Sequence, residues 1–288
     1  MKKSTGSDSA WGRIRAGRSA RAFRDPGVQF AWALLVLVPA LTLAQTPAIS
    51  QLQYSADSGA NIVGAGQYAA RQDYVIDNLG AGSRSRVQIP GLPERVNLRD
   101  FQIDGNGDLL FALDVGVTLN GIYFDPADVI RYSAGSFSKA FDAAAAGVPR
   151  GVHCDGVARS GTSGALLLSF DKTFAVGGIT IRPADVIAVS AGSFGAKVLD
   201  ANALGLSAAL NVDAVDALRT TTDLLVAFDT GGTAGSVTFM HEDILQLHLA
   251  NGSWTKRYSL ATFSDRWGTV HLDGLAATND TIFNDGFE

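Results

Sequence analysis

The chain has 288 residues, with 23 lysines and arginines against 28 aspartates and glutamates and a single cysteine. One cysteine excludes an intrachain disulfide, so stability must come from burial, and a chain of this length with 47% apolar residues can form one sizeable core. The charge is unevenly placed: seven of the basic residues, Lys2 to Arg24, face only Asp8 and Asp25. The remainder carries a net charge of about −10, which argues against nucleic acid as a partner.

The basic start is followed by an uncharged run, 30–44, broken by Pro39. As a helix it would span roughly 22 Å, short of a hydrocarbon core of about 30 Å. Small residues at Thr42 and Ala44 precede Gln45 as in a cleavage site. Residues 1–44 therefore read as a signal peptide, cut near Ala44, and the mature chain as secreted, periplasmic or displayed at the cell surface, with no membrane span. Residues 45–51 form a leader.

From residue 52 the sequence repeats. Strand-like runs end on Asp57, Asp114, Asp171 and Asp229, spaced 57, 57 and 58 residues. A second column, Asp73, Asp128, Asp185 and Asp243, is spaced 55, 57 and 58. Two markers holding one period through four copies indicate a repeat array. Each copy reads as four strands. Strand A is 96–101, 152–157, 210–215 or 270–275. Strand B ends on the first aspartate column and is apolar on both faces, as expected of a strand covered on both sides. Strand C spans 122–132, 179–189 or 237–249, and strand D carries Phe137, Phe194 or Trp254. Short alanine runs at 143–146 and 201–210 can hold one helical turn before Gly147 and Gly205.

The first copy lacks strand A, and an extra strand A, 270–275, follows the last complete copy. If that last strand joins the first sheet, the array closes without a free edge. The expected fold is all-β: a four-bladed β-propeller over 52–275, with repeats at about 52–95, 96–151, 152–209 and 210–269, and a tail over 276–288.

The blade openings Asp155-Gly156-Val157, Asp213-Ala214-Val215 and Asp273-Gly274-Leu275 resemble those of the hemopexin-type four-bladed propeller. The resemblance is to architecture and implies no ligand; the units here are longer and lack both the Phe-Lys-Gly strand and the closing disulfide. The final residues Ile282-Phe283-Asn284-Asp285-Gly286-Phe287-Glu288 are similar to a tail of unknown role on uncharacterised secreted Gram-negative bacterial proteins.

Strand A lines the central channel of a propeller. Period-2 alternation places Asn97, His153, Asn211 and His271 on one face, together with Arg99, Asp155, Asp213 and Asp273. Imidazole and carboxylate groups converging on the axis make His153, His271, Asp155, Asp213 and Asp273 a candidate site for a divalent cation: zinc or copper for the histidines, calcium for the carboxylates. Arg99 opposes that reading, and a solvated channel is the alternative. The turn Asp104-Gly105-Asn106-Gly107-Asp108 resembles the start of a calcium loop. Val115 stands where the acidic twelfth ligand belongs, so a hairpin turn is expected instead. Aspartates present in every copy suit backbone caps better than a catalytic pair, which is needed once. Cys154, among apolar neighbours, reads as an inert buried thiol. The chain shows no Gly-x-Ser-x-Gly elbow, phosphate loop or zinc-type spacing. The expected function is a monomeric, non-enzymatic binding module for an extracellular protein or glycan. The alternatives are a hydrolase or lyase acting on polysaccharide, or a structural surface protein.

Overall fold

The apolar strands, Leu109–Leu113, Leu166–Phe170 and Leu224–Phe228, are buried at every position, and each lies second in its sheet. A strand buried on both faces needs a sheet on either side of its own, and a ring of sheets supplies them. The structure, a computed structural model, describes residues 49–61, 68–219, 221–262 and 265–279; the expected signal peptide and the 282–288 motif lie outside these residues.

Among the described residues, with strands numbered along the chain, four four-stranded antiparallel sheets form the blades. The first is β22 (Leu272–Asn279), β1 (Ile49–Ala56), β2 (Asp73–Asn78) and β3 (Ser83–Gln88). The second is β4 (Leu98–Ile103), β5 (Leu109–Leu113), β8 (Val129–Ser133) and β9 (Ser136–Phe141). The third is β10 (Cys154–Arg159), β11 (Leu166–Phe170), β14 (Val186–Ser190) and β15 (Ser193–Leu199). The fourth is β16 (Val212–Ala217), β17 (Leu224–Phe228), β20 (Asp243–His248) and β21 (Ser253–Ser259). The protein is an all-β, four-bladed propeller.

The closure expected from the unequal ends is present. Strand β22 pairs antiparallel with β1, placing Leu275 opposite Tyr54 and Ala276 opposite Gln53. Both strands run further than the 52–275 span: β1 begins at Ile49, in the expected leader, and β22 continues to Asn279, in the expected tail. The segment leading into β22 adds a fully buried Trp267, edge-on to Tyr54 with ring centroids 5.5 Å apart.

Four hydrophobic clusters fill the gaps between neighbouring blades. One joins the first and second sheets through Phe101, Phe111, Val96 and Ala276, and the other three repeat the arrangement around the ring. Backbone bonds also cross these gaps: Leu98 N–H donates to Arg71 O, Cys154 N–H to Pro126 O and Val212 N–H to Pro183 O, at 2.9, 3.0 and 3.0 Å. Cys154 is fully buried, and burial pushes its thiol well above the ordinary value, as an inert cysteine requires.

The long strands expected at 122–132, 179–189 and 237–249 are each two strands. A short hairpin comes first: β6 (Val117–Leu119) with β7 (Ile122–Phe124), β12 (Phe174–Val176) with β13 (Ile179–Ile181), and β18 (Gly232–Ala234) with β19 (Val237–Phe239). A turn then separates β7, β13 and β19 from the third strand of the blade. Its cause is the second aspartate column. The Oδ2 of Asp73, Asp128, Asp185 and Asp243 accepts the N–H three residues earlier at 3.0, 2.9, 2.9 and 2.8 Å. Such a side-chain cap competes with the ladder and breaks the strand. The alanine runs form single turns: Ala146 N–H donates to Asp142 O and Leu204 N–H to Asp200 O, and Gly147 and Gly205 end them at φ of 87° and 67°.

Candidate functional site

The inner strands β4, β10, β16 and β22 begin together at one end of the axis. The first aspartate column anchors them there. The N–H groups of Asn97, His153, Asn211 and His271 donate to Oδ1 of Asp114, Asp171, Asp229 and Asp57 at 2.7, 2.7, 3.2 and 3.0 Å. Both repeated columns therefore cap backbone, as their recurrence in every copy implied.

One step further in, every inner strand carries a β-bulge at the same position: Arg99, Asp155, Asp213 and Asp273 are the residues without a ladder partner. The bulge turns these four side chains inward. Arg99 Nη1 lies 3.3 Å from Asp155 Oδ1 and 3.8 Å from Asp213 Oδ1. Asn211 Nδ2 donates to Asp155 Oδ2 at 2.9 Å, and Asn97 Nδ2 donates to Asp273 Oδ2. The three carboxylates are buried and share one guanidinium. Desolvation raises Asp155 to about 6 against the pull of Arg99, and Asp273 to about 7 against Asn97 and Arg99; Asp213 is raised well above its ordinary value. Desolvation pulls the Arg99 guanidinium down, but Asp155, Asp273 and Asp213 together hold it above its ordinary value.

The five residues singled out for a cation are not assembled as one ligand set. The carboxylates of Asp155, Asp213 and Asp273 approach the axis, but with Arg99 among them. His153 turns to Asp171 of its own blade, with Nδ1 3.5 Å from Oδ2, and the His271 ring lies against His241 at 4.5 Å. Among the described residues no three His, Cys, Asp or Glu side chains converge as a metal site would require.

Deeper on the axis lies a group that strict alternation misses. The bulge shifts the alternation by one residue, so Asp100, not Phe101, follows Arg99 on the inner face. Its carboxylate is fully buried and accepts one N–H from each blade. Oδ2 takes Val157 at 2.6 Å and Val215 at 3.0 Å, while Oδ1 takes Phe101 at 2.8 Å and Leu275 at 2.9 Å. Desolvation raises Asp100 well above its ordinary value, and the four N–H groups oppose that. With two donors on each oxygen, no acceptor remains for a carboxyl proton, so the bonding pattern is that of the ion. The matching positions in the other blades are Gly156, Ala214 and Gly274. An added Cβ at Gly156 would meet Ser169 Oγ at 2.3 Å and Val215 Cγ1 at 2.9 Å; at Gly274 it would meet Ser55 Oγ at 2.4 Å. Gly156 and Gly274 have no room for a side chain, and Ala214 brings only a methyl group, so Asp100 is the one polar side chain of the four at this level.

Below it, Gln102 Nε2 donates to Asp216 Oδ1 across the ring at 2.9 Å, and Asp216 also accepts Ala217 N–H and Ala277 N–H, each at 2.8 Å. The axis is thus filled by polar side chains bonded to backbone and to one another. The sequence carries a signal for this hub: an aspartate in one copy where the other three have glycine or alanine. The outer strands hold another unread column. Lys139, Lys197 and Lys256 reach Asp128, Asp185 and Asp243 at 2.8, 2.7 and 2.5 Å, and Arg86 lies 3.7 Å from Asp73.

The ring and its polar axis define a propeller whose centre is a structural hub, with the cluster of Arg99, Asp155, Asp213 and Asp273 as an acidic mouth at the end where the inner strands begin. No protein-family model matches the chain, and no curated protein is similar to it at a significant level. Among solved structures it is similar to a luciferin-regenerating enzyme (13% identity, TM-score 0.33, covering 66% of this chain and 57% of that one). It is also similar to a protein of unknown function from Bacteroides caccae (12%, 0.33, 74% and 73%) and to U3-55K (13%, 0.33, 74% and 56%). These likenesses are too distant to carry a functional argument; the four-bladed ring rests on the strand pairing described above.

Proposed function

We propose that this chain is an exported, non-enzymatic binding module that engages an extracellular protein or glycan at its acidic axial mouth. The observation that carries this reading is a surplus of acceptors there. Oδ1 of Asn97, Asn211 and Asp155 are buried without hydrogen-bond partners, against one such donor, Arg99 Nε, and the three carboxylates act on that one arginine. Buried acceptors left unpaired favour a ligand that brings donors: hydroxyls of a glycan, or the ammonium or guanidinium group of a protein side chain. The connections between second and third strands end at this same mouth, and two of them carry exposed tyrosines, Tyr68 and Tyr123, 53% and 58% accessible. Exposed aromatic faces suit stacking against sugars or cationic side chains.

The repeated carboxylates that would serve a hydrolase or lyase are engaged as backbone caps, which favours binding over turnover. The blade openings at Asp155-Gly156, Asp213-Ala214 and Asp273-Gly274 carry their aspartates at the bulge, which turns each carboxylate toward the axis. The reading is tested by screening the purified mature chain on a glycan array and against lysine- and arginine-rich peptides, beside Asp213→Asn. Binding that weakens in the variant supports it. Turnover of a polysaccharide would replace it with the enzymatic alternative, and stoichiometric zinc, copper or calcium on elemental analysis would make a cation the occupant of the mouth.

A further inference from the structure

The far end of the axis, where the inner strands finish, carries two arginines beside Asp104. The turns after β4 and β10 and Arg219, two residues beyond β16, meet there around a cleft of about 260 Å³. Gly161 makes the approach possible, since a Cβ on it would sit 3.2 Å from Arg219 Cα. Two guanidinium groups line the cleft, each tied down by a single main-chain bond: Arg159 Nη1 to Gly164 O and Arg219 Nη2 to Ile103 O, both at 2.8 Å. Arg159 Nε is buried with no partner.

The carboxylates around the cleft are engaged with groups other than its two arginines. Asp104 accepts Asn106 N–H and Asp108 N–H at 2.9 and 3.2 Å and lies 3.8 Å from Arg131, and Asp216 beneath the floor holds three donors. Arg159 and Arg219 bond only to main-chain carbonyls and pair with no carboxylate, which leaves both guanidinium groups open to an anion. Gln102 adds an acceptor. Its Nε2 faces the Asp216 carboxylate, which fixes the amide orientation and leaves Oε1 buried and unpartnered beside the cleft. A ligand satisfying both needs an oxyanion for the arginines and a hydroxyl for the amide oxygen. Planar guanidinium matches a carboxylate in two-point contact. The volume lies just under the usual range for small-molecule sites, enough for about one sugar ring.

We propose that this cleft binds the carboxylate of a small polyol, a sugar acid of the uronate kind, at a site separate from the acidic mouth. Calorimetric titration of the mature chain at low ionic strength tests it, with glucuronate as probe and glucose and inorganic phosphate as controls. Saturable one-to-one glucuronate binding is expected, with none for glucose. Arg159→Gln and Arg219→Gln should each weaken it about tenfold or more, the loss of one charge-assisted contact. Arg219→Lys, which keeps the charge without the planar fork, should lose part of that affinity and serves if Arg219→Gln does not fold. Asp213→Asn, at the other end of the axis, should leave glucuronate binding unchanged while impairing the mouth, so the two sites fail separately. No saturable glucuronate binding, equal binding of glucose, tighter binding of phosphate, or folded arginine variants within twofold of the parent would each overturn the assignment.

Discussion

Replacing Asp100 by glycine makes the second blade match the third and first, which carry Gly156 and Gly274 at that level. A repeat-consensus argument expects such a change to be neutral or stabilising. The structure expects the reverse. Four N–H groups, one per blade, donate to this carboxylate at 2.6 to 3.0 Å, and the site is sealed from water. Removing the acceptor leaves four buried donors unpaired, at about 1–3 kcal/mol each. Relief of the carboxylate's own desolvation offsets part of this, leaving a net loss of about 4 kcal/mol, a large share of the stability of an ordinary domain. Asp100→Ala should lose a similar amount. Urea denaturation followed by tryptophan fluorescence reads the change as a shift in midpoint at constant slope. Destabilisation below about 1 kcal/mol in both variants would refute the hub.

Three further outcomes follow from the same geometry. Gly156→Ala should destabilise by about 1–3 kcal/mol, since its Cβ has no room against Ser169 and Val215; a neutral result in thermal unfolding would show that the axis is loosely packed. Asp185→Ala frees Arg182 N–H and Ala201 N–H together and strands Lys197, and should cost about 2 kcal/mol, whereas Lys197→Met, which leaves the buried Asp185 carboxylate its two N–H donors, should cost less than Asp185→Ala but remain destabilising. Stability should also fall as pH rises from about 4 to 7. Asp155, Asp216 and Asp273 bind protons more tightly when folded, at about 6, 7 and 7, so each contribution is whole below the unfolded value and lost as pH passes the folded one. The loss is on the order of 3 kcal/mol per carboxyl before coupling through Arg99. Asp142 and Asp243, held low, act in the opposite direction below pH 4. A melting temperature that rises steadily from pH 5 to 8 would contradict this, and Asp273→Asn should flatten the slope.

The ring was legible in the sequence because its cause is periodic. Two aspartate columns kept one spacing, strand B was apolar throughout, and a surplus strand at one end matched a missing strand at the other. The capping role of the aspartates followed from the same repetition. What strict alternation could not give was the bulge. One extra residue at Arg99, Asp155, Asp213 and Asp273 lets two consecutive side chains face the axis, so alternation alone gives no reason to place Asp100 there. The two histidines were placed on the inner face by the same rule, but their rings turn to Asp171 and His241, a choice made by rotamer and neighbour that spacing does not encode. Strand C was read too long because an aspartate that caps the residue three positions earlier looks, in one dimension, like any polar residue within a strand. The far cleft is built from three turns that no single repeat contains.

Hydrogen exchange of four amides, Phe101, Val157, Val215 and Leu275, tests the central claim most directly, since one carboxylate is held to tie all four blades through them. All four should exchange only through global unfolding, with one common free energy, and in Asp100→Gly they should lose protection together. Independent exchange of any of them by local opening, or four unchanged values in the variant, would contradict it.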